Sequence, residues 1–106
     1  MKFVMTLLSA AAITAAFATP ATAALDGAAL FKDKTCNACH GAKGDKPLMP
    51  NYPKIAGQNA AYTEQQMKDI KSGARNNGQT AAMKGVMHLV NDEEIKALSE
   101  YLSKLK

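Results

Sequence analysis

The chain has 106 residues, of which 47% are hydrophobic and 21% are charged, and its formal net charge is +4. This length allows one small domain. So weak a positive charge does not indicate a nucleic-acid partner. The chain contains only two cysteines, Cys36 and Cys39.

The first residues predict a secretory signal peptide. A short basic start precedes an apolar, alanine-rich run over 3–17, and Ala21-Thr22-Ala23 supplies the small residues that a signal peptidase reads. The alternative is an uncleaved anchor, but the run is shorter than the about 20 residues that a bilayer span needs. We therefore expect residues 1–23 to be cleaved, residues 24–106 to form the exported domain, and no stable membrane insertion to remain.

The exported domain begins with a predicted helix over 27–34. Asp26 is a suitable N-cap, and Leu30 and Phe31 are the apolar positions. A domain of roughly 80 residues has only marginal stability if a hydrophobic core of side chains is all that holds it together. We expect Phe31 to be buried and a further group to complete the interior.

The stretch Cys36-Asn37-Ala38-Cys39-His40 indicates what that group is. Two cysteines two residues apart, followed directly by histidine, are typical of covalent c-type haem attachment. One helical turn spaces Cys36 and Cys39 to reach two vinyl groups of one porphyrin. His40 then offers its imidazole to the iron, for which histidine is a common axial ligand.

Three other interpretations of this stretch are possible. A thioredoxin-like thiol centre should follow a strand in a βαβ pattern, and no such pattern is visible. A zinc site lacks ligands, because the only histidine besides His40 is His88. An exported cysteine pair can also form a disulfide, which leaves His40 unexplained.

Beyond His40 the sequence predicts a loop and two further helices. Glycines and prolines punctuate the segment 41–57. A helix is predicted over 60–72, opened by Asn59 or Gln58 and ended by Gly73, with an inner face formed by Tyr62, Met67 and Ile70.

The segment 80–90 predicts a short helical turn plus loop. The last helix starts at the N-cap Asn91 with Glu94 completing a capping box, and its apolar stripe is Ile95, Leu98, Leu102 and Leu105. The predicted fold class is all-α, with three to four helices.

These features together resemble the small soluble monohaem cytochromes c called class I. The resemblance covers the exported domain and is closest to single domains of the dihaem cytochrome c-four subgroup, as in YPKIAGQ at 52–58 and KSGARN at 71–76. It implies that the first and last helices cross, at positions matched by Gly27, Phe31, Leu98 and Tyr101. It also implies that the Pro53 carbonyl accepts a hydrogen bond from His40, and that Gln58 and Arg75 lie near the haem propionates. A surface salt bridge is the alternative for Arg75.

The sixth iron ligand is predicted to be Met83. Met67 has the spacing of a core residue, and Met49 lies in the proline-rich loop. Met83 and Met87 both precede the last helix, and the resemblance favours Met83 through Met83-Lys84-Gly85, where Gly85 would let the backbone approach the haem. Met87 and His88 remain alternatives.

The predicted function is one-electron transfer in the bacterial periplasm by haem c, bound through Cys36 and Cys39 and ligated by His40 and Met83. We expect a monomer that meets redox protein partners and is not itself an enzyme. The alternative is a haem enzyme or gas-binding protein with an open sixth position. Lysines around the attachment stretch would steer an acidic partner, or form an ordinary solvated surface: Lys32, Lys34, Lys43 and Lys46.

Overall fold

The computed structural model describes residues 25–106, which form five α-helices and no strand. They are α1 (Gly27–Asp33), α2 (Cys36–His40), α3 (Ala60–Ser72), α4 (Thr80–Met87) and α5 (Asp92–Ser103). The all-α prediction is confirmed. The predicted short turn after residue 80 is wrong in its length, since α4 has eight residues. The predicted signal peptide, 1–23, lies outside the described residues.

Helices α1 and α5 cross at close range near the start of α1. The carboxylate of Asp26 caps α1 by accepting hydrogen bonds from two backbone N–H groups. At Gly27 an added Cβ would lie 2.5 Å from Tyr101 Cβ and 2.6 Å from the Ala97 carbonyl oxygen. Phe31 is buried and its ring centroid lies 5.8 Å from that of Tyr101. The crossing implied by the resemblance is therefore confirmed.

Helix α5 has the predicted start and the predicted buried stripe. The Asn91 side chain accepts from the Glu94 backbone N–H at 2.8 Å, and the Glu94 carboxylate accepts from the Asn91 N–H at 3.0 Å, which completes the capping box. This reciprocal bonding satisfies donors that a helix start leaves free. The apolar stripe faces the core, with three members buried and the last partly buried: Ile95, Leu98, Leu102 and Leu105.

Helix α3 has the predicted bounds and packs against α4 and α5. Asn59 caps its start, and Gly73 ends it in the left-handed conformation with φ 89°. Met67 and Ile70 are buried as predicted. Tyr62 does not join the core: it is 52% exposed, because it stands in the first turn of α3, where the helix borders the cavity described below.

Among the described residues, no helix has both the length and the hydropathy required to cross a bilayer.

Candidate functional site

A cavity of about 450 Å³ opens between α2, the loop that follows it, α3 and α4. This volume lies in the range typical of small-molecule and cofactor sites, about 300–1,000 Å³. All four residues predicted as the site line this one cavity: Cys36, Cys39, His40 and Met83. They come from two segments more than forty positions apart, which the packing of α4 on α3 brings together.

The backbone around α2 is constrained at both ends. Thr35 precedes the helix with φ 63°, a left-handed conformation that is uncommon for a residue with a side chain. Gly41 follows it with φ 88°, and an added Cβ there would collide with the Lys46 carbonyl oxygen. The Leu48 N–H donates to the Cys39 carbonyl oxygen at 2.8 Å. The loop after α2 therefore folds back onto the attachment helix and fixes its orientation.

His40 is buried, and one of its ring nitrogens has a protein partner. Its Nδ1 lies 2.9 Å from the Pro53 carbonyl oxygen. Because a carbonyl oxygen can only accept, Nδ1 must carry a proton in this contact, and in the neutral ring Nε2 then has the free lone pair. The contact implied by the resemblance is confirmed, and it gives the ring the tautomer and orientation that a metal ligand requires.

The two thiols are partly buried and are not joined in a disulfide. Burial raises the pKa of the Cys36 thiol, and the neighbouring Cys39 adds to the rise in spite of an opposing backbone hydrogen bond. A nucleophilic redox cysteine has the opposite property, a lowered thiol pKa. The raised pKa of the Cys36 thiol therefore gives no support to the thiol–disulfide interpretation.

The four candidate methionines differ in their relation to the cavity. Met83 is half-buried and lines it. Met67 also lines it but belongs to the buried core of α3. Met87 is only 1% exposed and lies within the core, whereas Met49 is 46% exposed in the loop, and neither lines the cavity.

The two remaining features predicted around Met83 lie elsewhere. His88 is exposed and is not part of the cavity wall. Gly85 does not line the cavity either, and an added Cβ there would meet nothing within 4 Å. Neither observation supports the expectation, drawn from the resemblance, that Gly85 lets the backbone approach the haem.

The cavity wall combines apolar side chains with basic and neutral polar ones, and none of the described residues that line it is acidic. Arg75 and Gln58 both line it, as the resemblance implies, and Lys54 joins them. Arg75 makes no described salt bridge; its Nη1 donates to the Gln66 Oε1 at 3.1 Å. Guanidinium and amide groups at an apolar cavity suit a flat apolar ligand with carboxylate tails.

Thr63 is a wall residue that the sequence reasoning missed. It is only 8% exposed, and its Oγ1 is a buried side-chain oxygen with no hydrogen-bond partner among the described residues. Buried hydroxyls are normally paired, so this oxygen suits a polar group within the cavity. Its position four residues before Met67, on the same face of α3, was the available signal. The wall as a whole fits a haem with its two propionates.

Metal binding by side chains alone is not indicated. In the part of the chain from residue 25 onward, no group of three His, Cys, Asp or Glu side chains is placed to hold an ion. The zinc interpretation therefore has no geometric support.

Comparison with known proteins agrees with this geometry. The family model Cytochrome c matches residues 24–106. Cytochrome c-553 of Nitratidesulfovibrio vulgaris is 36% identical over 105 residues, covering 99% of this chain and all of that protein. Cytochrome c-554(548) of Halomonas halodenitrificans is 40% identical over 78 residues, covering 72% of this chain and 93% of that protein.

The cytochromes c4 are similar over a shorter share of their length. Cytochrome c4 of Stutzerimonas stutzeri is 39% identical over 71 residues, covering 66% of this chain and 34% of that protein. The crystal structure of reduced recombinant cytochrome c4 from Pseudomonas stutzeri superposes with a TM-score of 0.66 at 36% identity, over 76% of this chain and 46% of that one.

Proposed function

The chain belongs to the cytochrome c family and is a haem c electron carrier; on this premise we propose that it works in the periplasm, with His40 and Met83 as the axial ligands of the haem iron. The predicted signal peptide supports the location. Haem c, when bound, supplies an iron that takes up and releases one electron.

The observation that carries the proposal is the meeting of four side chains at one cavity. Cys36, Cys39 and His40 reach it from α2, and Met83 reaches it from α4. Histidine and methionine are the axial pair that raises the reduction potential in cytochromes c. Of the predicted alternatives, Met87 and His88 do not line the cavity.

Each residue has a separate task in this arrangement. Cys36 and Cys39, one helical turn apart, would hold the porphyrin through thioether bonds. The hydrogen bond from His40 Nδ1 to the Pro53 carbonyl oxygen fixes the ring, so that Nε2 would bind the iron and would be the stronger ligand for that bond. Met83 would be the second ligand of the iron and would keep substrates from it, and Arg75, which lines the same cavity, would bind a propionate.

The test of the ligand assignment is a methionine series on the purified holoprotein. Met83→Ala should abolish the haem–thioether charge-transfer band in the ferric absorption spectrum. Met67→Leu and Met87→Leu are matched controls, because they remove a thioether and keep a similar apolar volume; both should retain the band at full strength.

Persistence of the band in Met83→Ala, with its loss in Met67→Leu, would transfer the ligand role to α3.

The alternative function, an open sixth position, is tested on the unmodified protein. A carrier with both axial positions filled should be inert to carbon monoxide when reduced at neutral pH, whereas rapid binding would favour a gas-binding protein or enzyme.

A further inference from the structure

The corner between α4 and α5, residues 88–90, is held from two sides by lysines of other helices. Lys34 follows the last residue of α1, and its Nζ donates to the Leu89 carbonyl oxygen at 2.9 Å. Lys71 lies in the last turn of α3, and its Nζ donates to the Val90 carbonyl oxygen. Two ammonium groups thus bind consecutive carbonyls of one short connection, which we call the corner.

These contacts differ from ordinary solvated lysines. The Lys34 ammonium also lies 3.3 Å from Glu94 Oε2, and the two side chains are only 25% and 15% exposed. Of the four lysines predicted to steer a partner, Lys34 is therefore committed to the protein itself. Hydrogen bonds from a charged donor are shorter and stronger than neutral ones, and partial burial reduces their screening by salt.

The corner controls the position of α4. Within the described residues α4 packs against one helix only, α3. Its end is fixed by Met87, the residue before the corner, and by Val90, the last residue of the corner, which are 1% and 2% exposed. Met83 stands about one helical turn before Met87 on the same face of α4. A displacement of the corner therefore moves the helix that carries Met83.

We propose that Lys34 and Lys71 are positioning residues that clamp the corner and thereby keep the Met83 side chain directed into the cavity. The proposal rests on the proposed role of Met83 as sixth ligand. Neither lysine lines the cavity, so each acts through the corner. Loss of a clamp lysine shifts the equilibrium between a seated and a displaced α4 toward the displaced form.

The test uses the ferric holoprotein and four variants, in each of which one lysine is replaced by leucine. Lys34→Leu and Lys71→Leu remove a clamp contact. Lys32→Leu on α1 and Lys96→Leu on α5 remove the same charge from exposed lysines, for which the described structure shows no side-chain hydrogen bond. Leucine is chosen because a methionine would introduce a second thioether.

The first readout is the apparent affinity for imidazole, which occupies the sixth position only when Met83 leaves it. Each clamp variant should bind imidazole about tenfold more tightly than the unmodified protein, since one charge-assisted hydrogen bond is worth at least that factor. The controls should bind as the unmodified protein does. Lys34→Arg, which keeps a charged donor, should restore most of the original affinity.

The second readout is amide hydrogen exchange, which reports local opening helix by helix. Amides of α4 should exchange faster in the clamp variants, while those of α1 and α5 stay protected. Imidazole affinities equal to the controls would overturn the proposal, as would an equal loss of protection in all helices, which indicates a general loss of stability. If Met83 is not the ligand, the methionine series fails while the exchange of α4 still tests the clamp.

Discussion

The two glycines inside helices, Gly27 in α1 and Gly85 in α4, should respond with opposite signs to the same substitution by alanine. At Gly27 an added Cβ would lie 2.5 Å from Tyr101 Cβ and 2.6 Å from the carbonyl oxygen of Ala97. At Gly85 it would meet nothing within 4 Å. The same substitution at the two sites therefore separates the effect of packing on stability from the effect of intrinsic helix propensity.

The magnitudes follow from these contacts. Neither atom that faces Gly27 belongs to the free end of a side chain, so the overlap is relieved only by moving α1 away from α5. Overpacking of this kind costs about 1–3 kcal/mol or more, and the helix preference of alanine returns at most about 1 kcal/mol. We expect Gly27→Ala to lose about 2 kcal/mol of stability, and Gly85→Ala to gain about 0.5–1 kcal/mol.

The assay is equilibrium unfolding of the ferric holoprotein in guanidinium chloride, followed by far-ultraviolet circular dichroism. The midpoint should fall in Gly27→Ala and rise in Gly85→Ala at an unchanged slope. The double variant should equal the sum within about 0.5 kcal/mol, since the two helices do not pack on each other. An unchanged midpoint in Gly27→Ala would refute the close crossing, and a lower one in Gly85→Ala would refute the open surface of α4.

Three further predictions concern charge and attachment. The backbone N–H of Asn91 donates to the Glu94 carboxylate and lowers the pKa of that carboxyl. The stability that the ionised Glu94 contributes is therefore present above the ordinary pKa of 4.5 and is lost as the pH falls through the lower pKa of the folded protein. In denaturant unfolding, Glu94→Gln should be less stable than the unmodified protein at pH 7, and the difference should vanish in acid. Lys43 and Lys46 are exposed, and rates of electron transfer to an acidic partner should fall as ionic strength rises. Rates that do not change with ionic strength would exclude electrostatic steering of the partner by these lysines. His40→Ala should reduce the yield of normally ligated haem protein, and a normal yield would contradict the assigned site.

Local signals in the sequence predicted the helices that carry their own caps. The α5 start follows from Asn91 and Glu94, which bond each other across three positions. The α3 end follows from Gly73, whose left-handed backbone favours glycine. Segment 80–87 has no such cap, since Gln79 makes no side-chain bond to α4. Its helix length depends on packing against α3, which local propensity does not reveal.

Contacts between residues that are far apart in the sequence could not be predicted from local patterns. Lys34 bonds a carbonyl 55 residues away, and no spacing rule distinguishes it from the exposed Lys32. Tyr62 fits the same helical pattern of apolar residues as the buried Met67, but the side of α3 on which Tyr62 lies borders the cavity and not the core. The cavity residues of α2 were predictable because one chemical reaction fixes their spacing. Met83 needed the family resemblance, since its distance from His40 depends on how α4 packs.

The two residues proposed as axial ligands are held by different means, so mutations near them should have different effects. His40 is fixed by a short helix, by the Pro53 carbonyl and by a loop whose backbone is bonded to α2. Met83 is carried by a helix that packs on α3 alone among the described helices and is held at its end by the clamp. Opening α4 requires the loss of few contacts, whereas displacing His40 requires unfolding of the loop. Substitutions in the loop should therefore act on haem attachment and global stability together, while substitutions of the clamp lysines should act on the sixth position and leave global stability nearly unchanged.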